Sequence, residues 1–98
     1  MKHRRYVIFL DQIKGVKTTE NHIRDHVQFL KQLEENGRLV LCGPFIDHKG
    51  GMVIIRADSL EEARQVAHSD PFVKSGVRNC EIRSWQLSCE ENNHLGMG

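Results

Sequence analysis

Apolar residues fall along the chain in two kinds of run, and their alternation sets the order of the elements. Residues 4–10, Arg-Arg-Tyr-Val-Ile-Phe-Leu, are β-branched and aromatic without helical period, which predicts a strand buried on both faces of a sheet. Residues 11–17 are polar and contain Gly15, so they predict a loop, after which Thr18, Thr19 or Asn21 can each cap a helix. Ile23, Val27, Leu30 and Leu33 then recur at helical spacing, and Gly37 suits a left-handed cap at the end of that stripe. Residues 38–42 predict a second strand, stopped by Gly43-Pro44 because proline cannot donate to a ladder. A turn over 47–51 leads into Met52-Val53-Ile54-Ile55, a third strand antiparallel to the second. Ser59-Leu60-Glu61-Glu62 is a capping box, and Leu60, Ala63 and Ala67 continue it as a helical face. Asp70-Pro71 ends that helix and can itself open a short helical turn. Residues 77–87 alternate well enough to predict a fourth strand.

The order β-α-β-β-α-β is that of an α+β, ferredoxin-like protomer: a four-stranded antiparallel sheet with both helices on one face. Such a sheet leaves its other face uncovered within the chain, and a second copy is its natural cover. Residues 1–88 are expected to form the single domain, and 89–98, which have no period, a loose tail.

Composition narrows the function classes. At 98 residues the core is thin, so self-association is favoured and a homodimer is expected. Fourteen Lys+Arg against thirteen Asp+Glu leave +1 with mixed signs, which supports neither nucleic-acid nor anionic-membrane binding. The longest apolar stretch, residues 6–10, is too short for a membrane span or a signal-peptide core, so a cytoplasmic location is expected. Cys42, Cys80 and Cys89 form no CxxC pair and leave one thiol over under any disulfide scheme, in keeping with a reducing compartment.

Among six histidines, His26 falls inside the apolar arc of the first helix between Leu30 and Leu33, while His22 lies at the arc's edge. Two readings of His26 are open: a core histidine bonded to a backbone carbonyl, or a general base held by a carboxylate. Asp70 is the best-placed carboxylate, since both helices share a sheet face, although a cap on the turn begun by Pro71 is the simpler explanation of it. His22 and His26 lack the third ligand a zinc site needs, and position 23 of an HExxH motif holds Ile23, so no metal is expected. Cys42 reads as a small buried hydrophobe rather than a nucleophile. Gly50-Gly51 precedes a strand rather than a helix and reads as a hairpin turn, not a phosphate loop.

From about Tyr6 to Trp85 the chain resembles the YciI-like (YCII-related) proteins of the dimeric α+β barrel superfamily. The resemblance rests on His26-Val27-Gln28-Phe29-Leu30, on Gly37-Arg38-Leu39 leading to Gly43-Pro44-Phe45, and on Gly50-Gly51-Met52-Val53-Ile54-Ile55. It continues through Ser59-Leu60-Glu61-Glu62-Ala63, Asp70-Pro71-Phe72-Val73, Ser75-Gly76-Val77 and Trp85. It implies a dimeric barrel with one pocket per protomer, in which His26 and Asp70 are the catalytic pair. Phe45, Ser75 and Trp85 are candidate substrate-binding residues. Many members carry an arginine three residues before that histidine, where this chain has Ile23, and Arg24 does not take its place. The implied chemistry is cofactor-free elimination, such as dehydrochlorination of a hydroxylated aromatic, or isomerisation of a small ring compound. A non-catalytic small-molecule binding or accessory module of the same fold is the competing expectation, and a cofactor-free oxygenase a third.

Overall fold

The computed structural model describes residues 3–96, so the parts of the expected domain and tail at 1–2 and 97–98 lie outside the described residues. Four strands form one antiparallel sheet in the order β2-β3-β1-β4: β1 (Arg4–Gln12), β2 (Leu39–Pro44), β3 (Gly50–Ile55) and β4 (Arg78–Gln86). Helices α1 (Glu20–Glu35), α2 (Leu60–Ser69) and the short α3 (Pro71–Lys74) complete the ferredoxin-like α+β protomer. The core lies between helices and sheet, where Tyr6, Ile8 and Leu10 of β1 and Val53 and Ile55 of β3 meet Leu33, Ala63, Ala67 and Phe72.

Each boundary has a local cause. Thr19 caps α1: its Oγ1 accepts from His22 N at 3.2 Å, and His22 Nδ1 accepts from Thr19 N at 3.1 Å. A histidine thus does the work usually given to Glu or Gln in a capping box. Asn36 closes α1 and Gly37 follows at φ +73°, a left-handed position that glycine occupies without a Cβ penalty. The Ser59 hydroxyl accepts from Glu62 N at 3.1 Å, but the Glu62 carboxylate takes the Asp58 amide, one residue before the expected partner. Glu62 also pairs with Arg38 at 2.5 Å.

Strand β2 runs through Gly43 and Pro44 instead of stopping before them. It is an edge strand, where a missing donor leaves no neighbour unpaired. A bulge between Leu39 and Leu41 then sets Leu41 opposite Ile54 and Cys42 opposite Val53. Leu41 therefore lies on the sheet face away from the helices, with Val7, Phe9, Met52 and Ile54, whereas Cys42 lies on the helix face. Leu41 is 66% exposed.

Beyond β4, where a structureless tail was expected, Glu90–Asn92 forms a 3-10 turn and Asn93–Gly96 a short helical stretch in which Asn93, His94 and Leu95 have positive φ. The segment is tied back by Asn92 Nδ2, which donates to Leu87 O at 2.7 Å.

Candidate functional site

The site is built at the junction of α2 and α3. Proline 71 forces a break there, since the residue before a proline is driven out of the α region, and Asp70 adopts φ −64°, ψ 126°. That residue ends α2 and caps α3: Asp70 Oδ1 accepts from Phe72 N at 2.9 Å. The same oxygen lies 2.9 Å from His26 Nδ1 on α1, 44 positions away in sequence. Both readings of Asp70 left open by the sequence thus hold at once, and His26 bonds a carboxylate rather than a backbone carbonyl. A carboxylate can only accept, so the hydrogen of this contact sits on His26 Nδ1, and in the neutral form of the ring Nε2 is then the acceptor.

Aspartate 70 is 2% exposed, the one fully buried charged residue of the described chain. The His26 ring stacks on Phe72 with centroids 3.9 Å apart and planes 10° from parallel, which fixes its tilt. The Arg78 guanidinium also sits over the Phe72 ring, 4.7 Å from its centroid. Imidazole, phenyl and guanidinium together line a cavity of about 590 Å³, walled by Leu10, Ile23, Val27, Leu30 and Val53 and by the β2–β3 strand pair. This volume lies within the ordinary range of small-molecule pockets. Burial lowers the Arg78 pKa, and the Asp70 charge acts in the opposite, lesser sense.

Other candidates stand as follows. Ile23 is 48% exposed and lines this cavity with carbon, so no cation occupies its position. Cys42 also lines it, but desolvation, and secondarily the Glu34 carboxylate, push its thiol pKa up, away from a ready thiolate. His22 is engaged by its cap and does not join His26, and among the described residues no three His, Cys, Asp or Glu side chains gather to hold a metal. Phe45, Ser75 and Trp85 are not brought to the His26 cavity. Phe45 lies on the β2–β3 loop, tilted against His48, and lines an adjoining hollow that shares Pro44, Gly50 and Arg78 with the first. Ser75 ends α3 and donates to Pro71 O at 2.6 Å. Trp85 pairs with Arg5 across β1 and β4, on the sheet face without helices. Sequence reasoning missed Phe72 and Arg78 as parts of the site. Phe72 was visible as the residue after Asp70-Pro71, but Arg78 carried no signal, being one of fourteen Lys and Arg.

Comparison with known proteins agrees with this architecture. The chain is 39% identical over 82 residues to the uncharacterized protein YjpA of Bacillus subtilis, a match spanning 84% of this chain and 96% of that protein. It is 34% identical over 83 residues to an uncharacterized protein of Haemophilus influenzae, over 74% of this chain and 85% of that one. In fold it matches the 5-chloro-2-hydroxyhydroquinone dehydrochlorinase TftG of Burkholderia phenoliruptrix AC1100, solved in complex with 2,5-dihydroxybenzoquinone. The TM-score is 0.73 at 20% identity, covering 91% of this chain and 99% of that one. The model of the YCII-related domain matches residues 4–86, from the first residue of β1 to the last of β4, and the chain belongs to that family.

Proposed function

We propose that the chain is a cofactor-independent enzyme of the cytoplasm that uses His26 and Asp70 for general acid/base elimination, or isomerisation, on a small ring compound. The observation that carries this reading is the 2.9 Å contact between His26 Nδ1 and a buried carboxylate, with the imidazole lining a largely apolar cavity. Asp70 holds the tautomer and orientation, and His26 Nε2 takes a proton from the ring substrate. In elimination the electron pair of the broken C–H or O–H bond moves into the ring and expels a leaving group such as chloride. The elements of HX are lost and no external oxidant is consumed. In isomerisation the imidazolium returns the proton at another carbon. The fold-level likeness to a dehydrochlorinase supports trying chlorinated hydroxyaromatics first.

The working unit in this reading is a homodimer in which two sheets meet through the faces carrying Leu41, Phe9, Met52 and Ile54. Sedimentation as a monomer at micromolar concentration would remove that part of it.

The test of the chemistry is chloride release from a panel of chlorinated hydroquinones by the parent and by His26→Gln. Turnover by the parent that falls by about 100-fold or more in the variant, with ligand affinity kept, supports acid/base catalysis. Binding without turnover in the parent supports the non-catalytic binding module instead.

A further inference from the structure

We infer that Arg78 is the anion-binding residue of the His26 cavity, and that the ring compound bound there carries an ionised oxygen directed at its guanidinium. The inference rests on the reading of the cavity as a ring-compound site and adds to it the charge of the occupant.

Arg78 is the first residue of β4, and its side chain crosses the Phe72 ring into the cavity wall. Nη1 donates to Thr18 Oγ1 at 2.5 Å and to Val77 O at 3.0 Å. Those bonds anchor one nitrogen on neutral oxygens, and no carboxylate lies within ion-pairing distance of the group among the described residues. The nearest buried carboxylate, Asp70, is committed to His26 and to Phe72 N. A guanidinium offers five N–H donors in a fixed fork, so Nη2 and Nε retain donors for a partner that the protein itself does not supply. Its place over the Phe72 ring and its Nη1 bonds hold the fork in place beforehand, and Leu10, Val53 and Pro44 add apolar surface to the same cavity wall. The same Arg78 borders the adjoining hollow lined by Phe45 and His48, so the cation stands where the two spaces meet. His26 and Arg78 line one cavity, so a planar ring held there can turn an edge toward the guanidinium. A phenolate, an enolate or a vinylogous carboxylate at that edge complements the guanidinium, and an ionised oxygen also supplies electrons for expulsion of a leaving group.

The probe is 2,5-dihydroxybenzoquinone, whose hydroxyls are vinylogous carboxylic acids and ionised at neutral pH, with its neutral dimethyl ether as control. Affinities for both are measured by calorimetry on the parent, Arg78→Gln and Arg78→Lys, with thermal unfolding of each variant as a check on folding. The expected result is that the parent prefers the dianion to the ether, and that Arg78→Gln loses about 10- to 100-fold in affinity for the dianion alone. Arg78→Lys, which keeps the charge without the fork, regains part of that loss. Equal affinity for the dianion in parent and Arg78→Gln overturns the inference, as does an equal loss for dianion and ether, or preference of the parent for the ether. Chloride release and its dependence on His26 are read separately, so the base can fail while the anion site stands, and the reverse.

Discussion

Because one Asp70 oxygen serves both His26 and the Phe72 amide, Asp70→Ala removes both bonds at once, whereas Asp70→Asn keeps an acceptor in place. In Asp70→Ala the buried Phe72 amide loses its acceptor, and His26 Nδ1 loses its partner in a setting where the Asp70 side chain is 3% and the His26 side chain 13% exposed. An orphaned buried donor costs about 1–3 kcal/mol, and loss of a helix cap about 1 kcal/mol within that figure. Two such donors cost about 2–6 kcal/mol, and relief from burying a carboxylate offsets part of this, so the net loss is about 2–4 kcal/mol. Asp70→Asn keeps an acceptor for the Phe72 amide at the same place, and its loss is about 1 kcal/mol or less. With a urea dependence near 1 kcal/mol per molar, Asp70→Ala lowers the unfolding midpoint by about 2–4 M and Asp70→Asn by under about 1 M. The measurement is made at one fixed protein concentration, since any dimer makes apparent stability concentration-dependent. A double-mutant cycle with His26→Ala should return a coupling of about 1 kcal/mol or more. If Ala and Asn destabilise equally, or the cycle returns no coupling, Oδ1 is not the shared acceptor and the account of the site is wrong.

Further outcomes follow from other parts of the fold. Gly51→Ala would set a Cβ 2.8 Å from Gly43 O and is expected to cost about 1–3 kcal/mol in urea unfolding, whereas Gly43→Ala, with open space at its Cβ, should cost well under half as much. Ile55, fully buried at the centre of the sheet, should lose about 2–5 kcal/mol on truncation to Ala by the same assay. At pH 8 Cys42 should alkylate with iodoacetamide more slowly than a free thiol although it is exposed, because a raised pKa leaves less thiolate at that pH. The deficit should close as pH rises past the raised value, and Glu34→Gln should reduce it. Ser59→Ala should lower stability by about 1 kcal/mol, through the bond it gives up to Glu62 N.

Much of the architecture was legible in the chain because each element carries a local signal. The period of Ile23, Val27, Leu30 and Leu33, the Ser59 cap and the proline after Asp70 all act within a few residues of themselves. Elements fixed by tertiary position were harder to see. Pro44 reads as a strand terminator unless β2 is known to be an edge, and the bulge that puts Leu41 on one face and Cys42 on the other leaves no mark in composition. The helical period of α1 put His26 on its apolar arc, while the shared sheet face brought Asp70 within reach, so their meeting could be argued but not measured. Arg78 could not be chosen from the charges of the chain, since its place over Phe72 and in the cavity wall, with no ion pair among the described residues, is what sets it apart. Phe45, Ser75 and Trp85 stand within the segments that carry the family resemblance, and contiguity in sequence says little about which side of a sheet or turn a side chain takes.

The long separation between His26 and Asp70 orders events during synthesis. The ribosome delivers α1 together with β1, β2 and β3 well before Asp70 exists, and the carboxylate is followed only later by Arg78 and the strand that seals β1 on its second edge. A chain stopped at the end of α2 holds the imidazole, the floor of the cavity and three of the four strands, yet neither its partner carboxylate nor its cation. The His26–Asp70 contact and the Arg78 wall of the cavity are therefore completed only by the last third of the polypeptide, and a nascent or truncated chain exposes an unfinished sheet edge before that cavity is closed.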